Sequence, residues 1–524
     1  MIDYPIDLVI PYVNCTSKKW QETYVDFCEN NGYKERVQAF NSERYRDWGF
    51  FKYMLRGVSA NMQFVNKVYL LLQAEDQIPD WLDTSSLEIV YHKDFIPEKF
   101  LPTYNSTTIE MFLDNILGLS EHFIYANDDL YALKPMQASD FFTDDGKIKM
   151  GFRKRVLKDY LQFNLVCCHC FNEIQLLTNG RDTTPDYLTP FHEFMPMIKS
   201  HVTKVKELLG DRITNGITPF RDPRNHNQYI FPYYEFFTNN TAMPERTYAY
   251  LNMENDIDTV RDVLINRKES TLVLNDNEKT NVKLWSTNRD IRVAFEVTFY
   301  KMGKFEKKPK VTIGICMYNA AEYIGACIDS IPKRDDLEIL IIDDACIDNS
   351  AQIVNEKLRP FKKYAMLKSN KNSGVGFCRN ALLEMANGEY IFFLDADDKI
   401  DTEVFNNIID NELTDQNILM PKYIRNDGFS GYPTILRGCF IKRSYIGDVK
   451  HDPCRRCFED VDFKRKLAES KNGKLDITKS KETIYFYNMP RIGSLTWEHY
   501  KSAGLPGYQR GEENWEKWYK GKAR

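Results

Sequence analysis

No stretch of this 524-residue chain approaches the ~20 consecutive apolar residues that a membrane-spanning helix requires. Its first residues, Met1–Asp7, offer neither the basic nor the apolar segment of an export signal. The sequence therefore predicts a chain that is neither integral to a membrane nor exported by a recognisable leader. A surplus of one charge sign is also missing, because 70 basic and 75 acidic residues leave a formal net charge of -5. Such a balance supplies no global field for a polyanion, which excludes a dedicated nucleic-acid binder. Cysteine is sparse at twelve residues, too few in a chain this long for a disulfide framework. Internal repeats and low-complexity tracts are absent.

What is present is an ordinary globular balance, 43% hydrophobic and 28% charged, with enough length for two to four domains. Aromatics reach 14%, ample for large cores. Two clusters invite a metal reading: Cys167, Cys168, His169 and Cys170, and separately Cys454 with Cys457. The first is too compressed for one tetrahedral site and the second lacks a matching pair, so both are read as packing cysteines.

The first third of the chain alternates strand and helix. Asp7–Val13, Lys67–Leu72, Leu87–Tyr91 and His122–Ala126 are short apolar runs of buried-strand type. From Asn105 the apolar positions Ile109, Phe112, Leu113, Ile116 and Leu117 predict one face of a helix. A Thr107–Glu110 capping box would start it and Gly118 would stop it. Alternation of this kind implies an α/β fold with a mostly parallel sheet, whose ligand site lies at the C-terminal strand ends. The run His122–Ala126 leads directly into Asn127, Asp128 and Asp129. A charged tract, Lys301–Lys310, then precedes a second alternation, so the domain boundary is read near residue 308. That gives a domain over 1–307, a second over 308–505 and a tail over 506–524. The tail holds Trp515, Trp518 and Tyr519 among basic residues, which suits either a membrane-surface contact or a packed helix.

In the second alternation, Val311–Cys316, Glu338–Ile342 and Tyr390–Leu394 read as strands, and Ala320–Ser330 and Asn380–Ala386 as helices. The last strand runs into Asp395–Ala396–Asp397, a pattern able to hold a divalent cation against a diphosphate. The segments VTIGICMYNAAEYIGACIDSI, EILIIDDACIDNS and NKNSGVGFCRNALLEMANGEYIFFLDADD, in that order, resemble inverting family-2 glycosyltransferases of the GT-A fold. The resemblance implies that Asp343 contacts a uracil-type base, that Asp395 and Asp397 flank a metal-bound diphosphate, and that Arg379 lies near the donor. It also implies that Asp460, in FEDVDF, is the general base that an inverting transfer needs. A plain helix-start carboxylate is the other reading of Asp460. Tyr487, Arg491 and Ser494 resemble the closing segment of that family. The usual Asp-Asp-Gly-Ser reads Asp343–Asp344–Ala345–Cys346 here, which removes the glycine from the turn.

Residues 6–306 resemble the Stealth family of sugar-1-phosphate transferases, chiefly through RYRDWGFFKYMLRGV, VYLLLQ, QIPDWLD and LPTYNSTTIEMFLDNILGLSEHFIYANDDL. In that chemistry an acceptor hydroxyl attacks the phosphorus bonded to the sugar, which calls for cations around the phosphoryl oxygens and a base. The resemblance implies that Arg44, Arg56 and Arg221 bind the diphosphate and that Asn105 assists at a helix start. It further assigns a divalent cation to Asp128 and Asp276. Asp47 would orient an arginine or bind the acceptor. His192 is the expected base, since histidine is poised nearest neutral pH; His201 competes with it, and a structural histidine is the remaining alternative. Where the family has an Asp-Gly-Ser-Asp run, this chain reads Asn14–Cys15–Thr16–Ser17.

Together the two resemblances imply a bifunctional transferase with Mg2+ or Mn2+ at each site and nucleotide-sugar donors, UDP-sugars first among them. A growing glycan or phosphoglycan, including a lipid-linked one, would be the acceptor. The expected product is a sugar-sugar-phosphate repeat of capsule type, made in the cytoplasm with peripheral contact at the inner face of the plasma membrane. A two-step glycan-decorating transferase and a glycan-binding scaffold with degenerate domains are the alternatives.

Overall fold

The computed structural model describes residues 2–38, 48–157, 162–179, 186–253, 257–276, 283–425, 428–455 and 459–488. Arg44, Asp47, Cys457, Arg491, Ser494 and the tail from 506 lie outside the described residues. The chain divides into two compact units, Met1–Lys307 and Lys308–Arg524.

The first unit is built on a five-stranded sheet. Ile6–Pro11 lies at its centre, with Val68–Leu72 and then Glu88–Tyr91 on one side, and His122–Tyr125 and then Met195–Ile198 on the other. All pair in parallel except Met195–Ile198, which runs antiparallel to His122–Tyr125. Leu8, Val9, Ile10, Leu70, Leu71 and Leu72 are fully buried, as continuous apolar runs in a sheet covered on both faces should be. One carboxylate interrupts this apolar centre. Asp7 is fully buried, and its oxygens accept from the backbone N–H groups of Lys67 and Ser120 and from the Asn66 amide. Those bonds satisfy a group that would otherwise be costly to bury.

A smaller sheet orders Tyr248–Asn252, Thr271–Asn275 and Leu130–Ala132, the last two antiparallel. It sets the end of Thr271–Asn275 beside the segment following His122–Tyr125, since the Leu274 N–H donates to the Asp129 carbonyl at 3.1 Å. The expected long helix from Asn105 does not form. Asn105 itself is the N-cap, the helix Ser106–Glu110 stops after five residues, and a 3-10 turn at Leu113–Asn115 follows. Glu110, expected to close a capping box, is instead turned inward and buried.

The second unit carries a nine-stranded mixed sheet. Tyr364–Lys368, Leu337–Asp343, Val311–Met317 and Tyr390–Phe393 are parallel neighbours in that order. Phe440–Lys442, antiparallel to the last of them, then leads to Ile418–Arg425 and Ile477–Tyr487. Alternate residues serve opposite faces: Ile339 and Ile341 join one apolar cluster, Leu340 and Ile342 the other. Both units therefore have the α/β architecture with parallel and mixed sheets that the alternation predicts.

Candidate active sites

In the first unit, the Asn127–Asp129 turn stands at the C-terminal end of the His122–Tyr125 strand, where parallel sheets bind ligands. His192 reaches it from the link between the strands Asp186–Pro190 and Met195–Ile198. The imidazole Nε2 is 3.3 Å from the Asn127 amide nitrogen and 3.7 Å from an Asp129 carboxylate oxygen, and Nδ1 is 3.4 Å from the Tyr229 hydroxyl. Nε2 thus faces both the Asn127 amide and the Asp129 carboxylate, while Nδ1 faces the Tyr229 hydroxyl. The residues separating His192 from the following strand are anchors. Glu193 forms a fully buried ion pair with Arg246 at 2.9 Å, and Phe194 is fully buried. His201 lies elsewhere, paired with Glu235 at 2.7 Å, and that hydrogen bond raises its pKa.

Asp276, at the end of the Thr271–Asn275 strand, accepts from the Trp48 indole N–H at 2.7 Å. The strand pairing brings it to the same edge as the Asn127–Asp129 turn. Asp128 lies within that turn. Arg221 is exposed and donates to the Ser106 hydroxyl at 2.9 Å. Beneath lies Glu110, which sequence reasoning missed; it accepts from the Gln228 backbone N–H at 2.9 Å and the Tyr125 hydroxyl at 3.2 Å. Burial raises the Glu110 pKa against the pull of Arg221. Only its spacing from Thr107 made it visible, and that spacing suggested a cap.

Two expected donor contacts are placed otherwise. The Arg56 guanidinium forms a two-pronged pair with Glu306, both bonds 2.8 Å, and donates to the Phe299 carbonyl. It thereby fastens the helix Phe51–Asn61 to the end of the unit, and its hydrogen bonds are spent inside the fold. Asn105 is buried: its amide donates to the Thr218 carbonyl and Asn225, while its oxygen caps the short helix through the Thr107 N–H. It joins two loops instead of facing a ligand. The altered Asn14–Ser17 run is likewise absorbed by structure. Asn14 accepts from the Thr16 N–H, and Ser17 caps the helix Lys18–Asn30 through the Trp20 N–H.

In the second unit, the strand end Asp343 is fully buried. One carboxylate oxygen accepts from the Cys346 N–H at 2.7 Å. The other has no hydrogen-bond partner and lies 3.9 Å from the Lys368 ammonium. A buried carboxylate oxygen without a hydrogen-bond donor is a group that the fold by itself leaves unsatisfied. The turn after it holds Ala345 at φ 64°, in the left-handed region that the missing glycine would occupy without strain.

Asp395, Asp397 and Asp398 follow the Tyr390–Phe393 strand and present carboxylate oxygens within 4.8 Å of one another. Asp395 is held by two guanidinium groups, Arg379 at 3.1 Å and Arg437. These cations outweigh burial and keep its pKa low. Asp398 accepts from the Tyr485 hydroxyl and the Asn488 N–H, yet burial, then Asp397 and Asp395, drive its pKa well up. Three crowded acids of this kind suit a divalent cation. Arg379 is buried and also pairs with Glu459 at 2.7 Å, so it bridges the strand end to the helix Glu459–Ser470 instead of standing open to a donor. Asp460, in the first turn of that helix, lines a small cavity with Arg379, Arg437, His451 and Phe463. Arg437 is the second residue that sequence reasoning missed. It sits outside every quoted motif, and the sheet alone brings it to Asp395.

Residues 44–150 match the family described as Stealth protein CR2, conserved region 2, and residues 312–457 match Glycosyl transferase family 2. The receptor polysaccharide phosphotransferase WefC of Streptococcus gordonii is 31% identical over 271 residues, covering 45% of this chain and 80% of that protein. The chain belongs to the Stealth family. The exopolysaccharide phosphotransferase cps2G of Lactiplantibacillus plantarum is 27% identical over 341 residues, covering 58% of this chain and 97% of its own length. Among solved structures, S. aureus TarS 1-349 in complex with UDP is 21% identical, with a TM-score of 0.30, and covers 34% of this chain. The chain spans 60% of that TarS chain. This Stealth-family chain is a transferase that also carries a family 2 glycosyltransferase domain.

Proposed function

We propose that the two units act in turn on one growing glycan, building a capsular polysaccharide or phosphoglycan with a sugar-sugar-phosphate repeat. The relatives named above are polysaccharide phosphotransferases, which supports sugar-phosphate transfer by the first unit. The family 2 match supports glycosyl transfer by the second. The observation that carries the reading is that one chain holds two such groupings. His192 stands against Asn127 and Asp129 in one unit, and in the other Asp460 lines a cavity with Arg379 and Arg437, the two arginines that hold Asp395 of the acidic triad.

In the first unit the acceptor hydroxyl oxygen attacks the phosphorus bonded to the sugar. The nucleoside monophosphate leaves, the sugar keeps its phosphate, and the hydroxyl proton passes to Nε2 of His192. Arg221 supplies positive charge at the phosphoryl oxygens. In the second unit the acceptor oxygen attacks the anomeric carbon from the face opposite the nucleotide, the nucleoside diphosphate leaves, and Asp460 takes the proton. Asp343 offers its unpartnered oxygen to the base of a UDP-type donor. The triad Asp395, Asp397 and Asp398, and the pair Asp128 and Asp276, would each hold Mg2+ or Mn2+, which neutralises charge on the leaving group.

Tethering raises the effective concentration of the shared chain end, so each product becomes the other unit's acceptor. The reading sets the reaction on the cytoplasmic side of the plasma membrane, where a lipid-linked acceptor can be reached. A panel of nucleotide sugars, scored for release of monophosphate and of diphosphate with acceptor present, tests it. Release of both, from two different donors, is expected; release of only one would overturn the two-step reading.

A further inference from the structure

We propose that His169, Glu173 and His226 form a zinc site, separate from both nucleotide-sugar sites. His169 and Glu173 are one turn apart on the helix Gln162–Asn179, so their side chains share a face. His226 comes from the loop that precedes the helix Ile230–Phe237. Both imidazoles aim Nε2 at the same carboxylate oxygen: His226 lies 2.7 Å from Glu173 Oε2 and His169 lies 3.4 Å from it. One ligand atom from each of the three falls within 4.8 Å of the other two. Two imidazole nitrogens and one carboxylate oxygen are the three-ligand set of an open zinc site, with the fourth position left to solvent.

The surroundings fit that assignment. The second Glu173 oxygen accepts from Arg212 at 3.0 Å, the kind of outer hydrogen bond that orients a ligating carboxylate. His226 is 3% exposed and His169 50%, so the site has a fixed inner wall and an open entry side. The neighbouring Cys167, Cys168 and Cys170 are buried in the apolar core, so of that compact run only His169 faces the site.

A metal here would tie the helix to the loop carrying Arg221, Asn225 and Tyr229, whose hydroxyl meets His192. It would act as a clamp behind the first site, and the inference stands whatever donor that site uses.

The test is zinc stoichiometry on the full chain. Protein carrying Asp397→Ala and Asp276→Ala, which weaken the two acidic sites assigned to donor metal, is stripped with chelator, dialysed against micromolar zinc and analysed by atomic emission. About one equivalent should remain bound. It should be lost when His169→Gln or Glu173→Gln is added, with circular dichroism unchanged. Zinc should raise Tm of the parent but not of the His169→Gln protein, and cobalt should give visible d–d bands only in the parent. Zinc content equal in parent and His169→Gln protein, or no zinc retained by the parent, would overturn the proposal.

Discussion

The Nε2 atom of His192 lies 3.3 Å from the side-chain amide of Asn127, across 65 residues of sequence. This contact joins a histidine of the Asp186–Met195 link to the turn at the end of a central parallel strand. The competing histidine, His201, pairs with Glu235 instead.

If His192 takes the acceptor proton, His192→Ala should slow monophosphate release by ~10²–10⁴-fold, the usual contribution of a general base. Its neighbours are polar and it is 26% exposed, so the fold should persist. Unchanged turnover in a folded variant would remove it from the mechanism.

Asp460→Asn should abolish diphosphate release while monophosphate release continues with acceptor supplied. The side chain lines the cavity beside Arg379 and Arg437 but belongs to neither ion pair, so circular dichroism should be unchanged. Simultaneous loss of both activities would show that the sites are not separable.

Arg56→Ala separates structure from donor binding. The pair with Glu306 is largely buried, and removing one partner of such a pair costs about 3–5 kcal/mol. Urea unfolding should show that loss, with the donor KM of the folded enzyme unchanged. A raised KM at full stability would restore the diphosphate role that the family resemblance implies.

His92 sets an acid limit. It is buried, both ring nitrogens lack partners, and burial lowers its pKa from 6.5 to about 4. The unfolded chain therefore binds a proton that the folded one refuses. Stability is whole above pH 6.5 and falls by about 3 kcal/mol as pH drops through 4. His92→Phe should flatten that slope in urea titrations between pH 7 and pH 4; an identical slope would place the sensitivity elsewhere.

Ala345 occupies φ 64° where a glycine would sit without strain. The left-handed conformation costs an L-residue about 1–2 kcal/mol, partly offset by the lower chain entropy of alanine. Ala345→Gly should raise stability by up to about 1 kcal/mol. A destabilised variant would mean that the turn does not hold this conformation.

The strands were legible because each is a short, continuous apolar run, and burial on both sheet faces demands that pattern wherever it occurs. The acids that follow them, Asn127–Asp129, Asp343 and Asp395–Asp398, were legible for the same reason: position after a parallel strand is a local property of the chain. The boundary between two alternating regions was visible in the same way, whereas the chemistry of each was implied only by its family resemblance. Pairings between distant residues carry no such local signature. Whether Arg56 meets a diphosphate or Glu306, whether Asn105 faces a ligand or Asn225, and whether Glu110 caps a helix or floors a site depend on which loops meet. Arg437 beside Asp395 and His226 beside Glu173 were settled in the same way. Sequence determined the elements and the residue types at their ends; only tertiary packing decided the partners, because a buried ionic or polar group is satisfied by whatever the fold brings within about 3 Å of it.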